Sequence, residues 1–355
     1  MDLRVSGKDL IRNHLTMSLY HHAAIWEKNR EQRMVRNYFC NGYLNLNNQK
    51  MSKSTGNFLT MRQSIDKYGC DATRFALADA GDLLDDANFD DKVANAAILK
   101  LFTLEEWILK YCPKEGIDWS ASQEFGEFSW ESIVNNELNR IIALVNTAYA
   151  EMKFRVVIKH AFNELNDLKE SYRIATGGKP NPKIMFRLLE TMLAMMNPIC
   201  PLFCQYQWQH VLVPALKQCS NLPKQPAELL VNQGWPEAGP IDERLSYLLH
   251  YLHELKSNIR LAQKAAATGG KKKGKGKEEE QKPISTCVVF YNTQFPEYQK
   301  KVLEILGKYE FVNNVIQSKD YIAEIRGAFP VKKEADNALK FAAYTVQQAE
   351  IKGKD

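Results

Sequence analysis

The sequence predicts a mainly α protein: a loop-rich opening with short strands, a long helical bundle, and a small α/β module at the end. Two observations carry this prediction. Between residues 91 and 262, apolar side chains recur at helical spacing in one stretch after another. Residues 269–282 (GGKKKGKGKEEEQK) then contain no apolar side chain, so burial cannot offset the entropy of ordering them and a flexible linker is expected. The expected divisions are 1–90, 91–265, the linker 266–283, and 284–355. With 355 residues, 45% hydrophobic and 25% charged, the chain has the length for more than one core.

Element by element, residues 10–26 carry Ile11, Leu15, Leu19 and Trp26 near helical spacing, with Asp9 where an N-cap stands. In 38–44 (YFCNGYL), Asn41-Gly42 separates two short apolar-aromatic runs, a strong local signal for a hairpin. Lys50 to Asn57 reads as a loop. Thr60 and Gln63 have capping-box spacing for a short helix ending before Gly69, and Asp71 is placed to cap the next helix, which runs to Gly81. Val134, Leu138, Ile141, Val145 and Ala148 form one apolar stripe, and Phe154, Ile158, Ala161, Leu165, Leu168 and Tyr172 form a second. Further helices are expected over 184–199 and 245–262, which together make a bundle. Beyond the linker, residues 287–291 (CVVFY) have strand composition, and Pro296 opens a helical pattern through Tyr298, Val302, Ile305 and Tyr309.

The net charge of +5 permits a nucleic-acid partner without requiring one. Seven cysteines make an odd set without metal-ligand spacing, which points to reduced thiols in a cytoplasmic protein. Met1 leads straight into Asp2 and Arg4 rather than an apolar signal segment. The most apolar run, 192–203, is broken by Pro198 and Pro201 and is too short for a bilayer, so no membrane partner is expected.

The segment that carries chemistry is Lys50-Met51-Ser52-Lys53-Ser54, followed by Thr55, Gly56 and Asn57. It places two ammonium groups on a loop of small residues. When a carboxylate attacks the α-phosphate of ATP, negative charge builds on the equatorial oxygens and on the departing pyrophosphate; a cation meeting those atoms lowers the barrier. Lysine, a compact charge on a flexible stem, suits that task. Ser52, Ser54 and the loop N–H groups can add neutral donors, and Gly56 can act as a hinge. A solvated basic turn would account for an arbitrary Lys-Ser-Lys. A specified pentapeptide, however, arises by chance in a chain of this length with odds of roughly one in ten thousand.

KMSKS is a signature of the class I aminoacyl-tRNA synthetases, and the flanks (DLRVSGKDLIRNHL at 2–15, and 57–89) resemble the leucyl enzymes of archaeal and eukaryotic cytosolic type. The resemblance continues through the bundle and linker into the final module. It implies the end of a Rossmann-type catalytic domain, an anticodon-binding-type bundle, and a function in an ATP-dependent leucine-tRNA ligase that forms leucyl-adenylate and transfers leucine to tRNA-Leu. By this resemblance Lys53 contacts the phosphates, Lys50 supports it, and Met51, Ser52, Ser54 and Asn57 shape the ATP-binding loop. Gly7 and Asp9 occupy the G-x-D position that approaches the adenylate ribose; the residues alone read as a turn and a cap. ATP is the implied substrate with Mg2+ expected alongside it, and tRNA-Leu, leucine and other synthetases in a complex are the implied partners.

In the implied bundle, Arg140, Lys153, Arg155, Lys159 and Lys169 become candidate tRNA phosphate contacts, against the plain alternative of solvated face residues. The linker lysines at 271–273, 275 and 277 could add non-specific attraction. His14, His21 and His22 lack the i, i+4 ligand spacing, so no metal site is expected. Asp71 and Arg74 read as a cap and a packing or ion-pair residue, and Asp82, Asp85, Asp86, Asp90 and Asp91 as capped, solvated helix starts. The HIGH signature that class I enzymes also need does not occur. The resemblance therefore implies a carboxy-terminal fragment, not competent alone. The alternative is a non-catalytic tRNA-binding or scaffold protein derived from a synthetase.

Overall fold

The computed structural model describes residues 2–29, 33–113, 116–120, 125–268, 294–309, 311–312, 315–316 and 319–352. Met1–Leu261 form one compact unit and Ala262–Asp355 a second.

That unit opens with β1 (Leu3–Gly7), a 3-10 turn (Lys8–Leu10), a π turn (Ile11–Leu15), helix α1 (Thr16–Ile25) and β2 (Asn37–Asn41). β1 and β2 pair in parallel, Leu3 opposite Asn37 through Gly7 opposite Asn41, as a sheet of two strands. Asp9 does not cap the helix as expected. It lies inside the first turn, the N-cap position falls to Gly7 in extended conformation, and no side chain caps this end. The Asp9 carboxylate folds back instead, with Oδ1 2.7 Å from where a Cβ on Gly7 would stand.

The expected hairpin at Asn41-Gly42 is also corrected. Here the chain leaves the first sheet for a second, in which β3 (Leu44–Leu46) pairs antiparallel with β4 (Gln49–Lys50) and parallel with β5 (Ala87–Phe89). Gly42 is required by close approach: its N–H donates to Leu83 O at 3.0 Å, and a Cβ would stand 2.1 Å from Asp85 O. The hairpin lies one step further on. Asn47 and Asn48 have φ of 51° and 63°, the two left-handed residues of a type I′ turn, a conformation asparagine tolerates.

Helix α2 (Met61–Tyr68) carries the capping box as expected: Gln63 N donates to Thr60 Oγ1 at 3.2 Å, and Thr60 N to Gln63 Oε1 at 3.0 Å. α2 stops at Gly69, φ +83°, and α3 (Cys70–Ala80) follows. α4 (Asp91–Tyr111) is capped by Asp90, which accepts from Lys92 N at 2.7 Å. The bundle adds α5 (Trp130–Ala150), α6 (Phe154–Val157), a π turn (Ile158–Glu164), α7 (Leu165–Ala175), α8 (Pro182–Met196) and α9 (Pro201–Gln207). Both expected stripes are buried, apart from Phe154 at the start of the second.

A single core runs from Leu46 and Tyr68 through Phe75, Phe89, Ala97, Val134, Leu165, Met192 and Trp208 to Leu249. Asp71 and Arg74 pin α3 to the bundle across this core. Asp71 caps α9 rather than its own helix, accepting from Phe203 N at 2.5 Å. Burial pushes its carboxyl above the usual range, although the Phe203 and Leu202 N–H groups favour the charged form. Arg74 donates to Ile199 O at 2.7 Å and Pro198 O at 2.6 Å, beyond the end of α8. Charge-assisted bonds of this kind contribute roughly 1.5–3 kcal/mol each. Asp82 acts likewise at a distance, accepting from Phe154 N at 2.9 Å at the start of α6.

Helix α10 (Glu243–Thr268) begins in the first unit, with Leu245 and Leu249 in its core. The second unit contains α11 (Glu297–Leu306), a hairpin of β6 (Phe311–Val312) and β7 (Val315–Ile316), α12 (Asp320–Ala328) and α13 (Lys332–Lys352). Its own core gathers Val302, Ile305, Tyr321, Ile325, Ala338 and Ala342. Pro296 stands at the N-cap of α11, one position earlier than N1. The linker 269–282, its lysines and the strand at 287–291 lie outside the described residues.

Candidate ATP-binding loop and tRNA-facing cations

The loop 50–57 is a small hairpin closed by its own polar groups. Ser52 N donates to Asn57 O at 2.9 Å, and Gly56 N to Lys53 O at 3.3 Å with Gly56 at φ +74°. The Ser52 and Ser54 hydroxyls share a bond of 2.8 Å, and Asn57 Nδ2 donates to Lys50 O at 3.2 Å. Met51 and Leu59 pack on the core at the two ends. Lys53 stands at the tip, exposed, and its ammonium has no hydrogen bond or ion pair among the described residues. A cation so placed is free to meet a ligand.

Lys50 lies lower, its Nζ 5.7 Å from the Tyr43 ring centroid. Lys8, between Gly7 and Asp9, lies 4.9 Å from the same ring and 2.7 Å from Asp86 Oδ1. The hydrogen bond to Asp86 raises the pKa of Lys8, and the same bond lowers that of Asp86. Asp86 also accepts from Tyr43 N at 2.9 Å. The Gly7–Asp9 turn, at the carboxyl end of a parallel strand where open α/β sheets bind ligands, is thereby tied to the base of the Lys50–Lys53 loop. Sequence reading missed Lys8, Tyr43 and Asp86; no local spacing connects three residues this far apart in the chain.

The candidate tRNA contacts separate into two groups. Lys169 is corrected: it is 4% exposed, and its Nζ lies 4.4 Å from the Trp107 ring centroid. Burial pushes its pKa down to about 8. Arg140 is corrected as well, since it is half-buried between Glu137 Oε2 at 2.7 Å and Glu164 Oε2 at 3.2 Å. Helical spacing alone does not say which face carries a cation. Lys153 pairs with Glu151 at 2.5 Å. Arg155 and Lys159 remain exposed without an ion pair among the described residues, four positions apart on one helical face.

Among the described residues no three His, Cys, Asp or Glu side chains cluster closely enough to hold a metal ion. His14 Nε2 accepts from Arg4 Nη2 at 2.6 Å. A His-x-x-His spacing passed over in the sequence, His250 and His253, lies on α10, where His253 approaches Ser171 Oγ at 3.4 Å.

Residues 3–100 match the family of tRNA synthetases class I (M), and residues 131–288 match the anticodon-binding domain of tRNA ligase. The loop thus lies in the stretch that matches a class I synthetase model, and most of the bundle in the stretch that matches an anticodon-binding domain. The chain is 35% identical over 99% of its length to the cytoplasmic leucine–tRNA ligase of Pongo abelii, 34% over 100% to that of Dictyostelium discoideum, and 36% over 87% to that of Saccharomyces cerevisiae. It is homologous to the cytoplasmic leucine–tRNA ligases, and it spans 29%, 32% and 26% of the length of these three relatives. A solved ternary complex of an Agrobacterium radiobacter LeuRS with tRNA and LeuAMS aligns with a TM-score of 0.49 and 20% identity, covering 69% of this chain and 29% of that one. No described helix is long and apolar enough to cross a membrane.

Proposed function

We propose that this chain supplies the KMSKS loop and the tRNA-docking bundle of a cytoplasmic ATP-dependent leucine–tRNA ligase, and that it activates leucine only when an upstream HIGH-bearing segment completes the catalytic sheet. The observation that carries this is the parallel pair β1 and β2. Parallel sheets are ordinarily larger and covered on both faces, yet this one has two strands, with Val5 61% and Leu3 36% exposed and Met17, Tyr20 and Ile25 of the adjoining helix 57%, 68% and 68% exposed.

In the completed site, a carboxylate oxygen of leucine attacks the α-phosphorus of ATP as the bond to the pyrophosphate oxygen breaks. Lys53, with no partner to leave among the described residues, follows the charge onto the departing oxygens, and Lys50 supports it from the strand below. Mg2+ bound to the ATP would help to neutralise charge on its phosphate oxygens. Gly7 and Asp9 are the proposed ribose contacts, with the Asp9 carboxylate, which folds back over Gly7, as the acceptor for a ribose hydroxyl. A hydroxyl of the terminal ribose of tRNA-Leu, held through Arg155 and Lys159, then attacks the leucyl carbonyl carbon, and the acyl–phosphate bond breaks to release AMP. Other synthetases in a complex remain proposed partners.

The test combines this chain with the upstream portion of a relative and measures ATP–pyrophosphate exchange. Exchange is expected only in the combination, and Lys53→Ala should slow it by roughly a hundredfold, as loss of one transition-state donor does. Undiminished exchange in Lys53→Ala rules out the assigned role. A second reading, a non-catalytic tRNA binder, is favoured by the continuous core of the bundle, which needs no upstream strand. An in-frame HIGH region upstream of Met1 decides for the ligase.

A further inference from the structure

The bundle holds a cavity of about 280 Å³ between α5, α8 and the segments 222–224 and 233–237, with Trp119 and Trp235 among its walls. Its polar wall is unusual. Arg187, half-buried on α8, has no carboxylate within ion-pair distance among the described residues. It is held by neutral acceptors alone, Asn135 Oδ1 at 2.6 Å and Asn139 Oδ1 at 2.5 Å. Burial alone pushes its pKa down. Glu190, one helical turn further along and also lining the cavity, accepts from Gln233 Nε2 at 2.8 Å and does not pair with Arg187. Cation and carboxylate are each fixed by their own partners and kept apart. Trp119 adds a buried indole N–H with no acceptor among the described residues. Trp235 is held in place by Asn146, which accepts from its indole N–H, and by Tyr149, edge-on at 5.6 Å between centroids.

These features select a ligand. A bare anion would suit Arg187 and Lys224, but Glu190 and Glu237 share the wall and offset the two cations, and the Lys224 ammonium is already engaged with Gln233 O. An apolar ligand would leave the guanidinium buried and uncompensated. The volume lies just below the roughly 300–1,000 Å³ usual for drug-sized ligands, which suits one flat ring system. Guanine presents a carbonyl acceptor beside two N–H donors on one edge, the complement of an arginine and a glutamate one helical turn apart, and its faces stack on indole.

We propose that this cavity takes a single unpaired guanine of a bound RNA, with Arg187 donating to O6, Glu190 accepting from N1–H and the N2 amine, and Trp235 stacking at the mouth. The proposal rests on the tRNA-binding reading above and deepens it, because all of the cavity's lining except Trp119 falls within residues 131–288, which match an anticodon-binding domain.

The experiment uses the full chain, with tryptophan fluorescence and competition as readouts. GMP, AMP, inorganic phosphate, tRNA, and a hairpin RNA with one guanine or one adenine in its loop are titrated separately. GMP and the guanine hairpin should quench and compete with each other, with AMP and the adenine hairpin weaker by roughly tenfold or more. Glu190→Gln, which keeps an acceptor for Gln233 and so the local fold, should remove most of that preference, and Arg187→Gln should remove it too. Equal binding of GMP and AMP, displacement by phosphate alone, or GMP binding without hairpin binding each overturns the proposal. Binding of tRNA without any guanine effect defeats the cavity and leaves the tRNA reading intact, whereas absence of tRNA binding removes the reading on which the cavity rests.

Discussion

Lys169→Met should stabilise the first unit, by an amount that depends on pH. The lysine pKa falls from its ordinary 10.5 to about 8 on folding, chiefly through burial, and its side chain is 5% exposed. A lowered lysine pKa means that between these values the unfolded chain holds more protons than the folded one, so stability rises with pH across that window. Below about pH 8 the full penalty is present. At roughly 1.4 kcal/mol per tenfold change in proton affinity, it amounts to about 3 kcal/mol. Methionine keeps the stem against Trp107 and removes the charge. We expect the variant to gain about 2–3 kcal/mol at pH 7 over the parent, narrowing towards zero near pH 10.5. All six tryptophans lie at or before residue 235, so their fluorescence in a urea titration reports the first unit alone. A variant no more stable than the parent at pH 7, or one with the same advantage at pH 10.5, refutes the reasoning. Affinity for tRNA should not change, because a buried ammonium reaches no phosphate.

Arg155→Gln with Lys159→Gln should weaken tRNA binding across sequences and lower the slope of log affinity against log salt by about one for each cation, measured by filter binding at several ionic strengths. Gly42→Ala should cost roughly 3 kcal/mol or more in the same urea titration, since a methyl group would meet backbone that has no room to retreat; a loss under about 1 kcal/mol would contradict the close approach. Lys50→Ala should impair pyrophosphate exchange in the completed enzyme less than Lys53→Ala, because Lys50 has Tyr43 as a resting partner and sits below the tip. The reverse order would exchange their roles.

What the sequence made legible is what local pattern determines. The stripes at 134–148 and 158–172 are buried because a period of 3.6 is a property of the helix itself, and the Thr60–Gln63 box closes within four residues. The errors share a different cause. Asn41-Gly42 carried a strong turn signal, yet the glycine serves the passage of Leu84 and Asp85, which only the fold brings near. The real turn used Asn47-Asn48, a weaker form of the same signal. Asp71 and Asp82 were read as caps, and caps they are, but of helices that begin at Pro201 and Phe154. Lys169 and Arg140 looked like surface cations because charge alone does not report burial. For the loop, Lys53 could be singled out from the pentapeptide, whereas Lys8, Tyr43 and Asp86 around its base could not.

The pinning of α3 to the 198–203 corner, with Met51 and Leu59 anchored on the same core, leaves little slack beneath the loop. Whatever travel Lys53 makes towards a nucleotide has to come from the seven residues 52–58. At no more than about 3.5 Å per residue, a strap tethered at both ends lets its apex swing about 10 Å and no further. On the ligase reading, a nucleotide has to be delivered within that radius, and where it is seated, rather than the pliancy of the strap, would govern turnover.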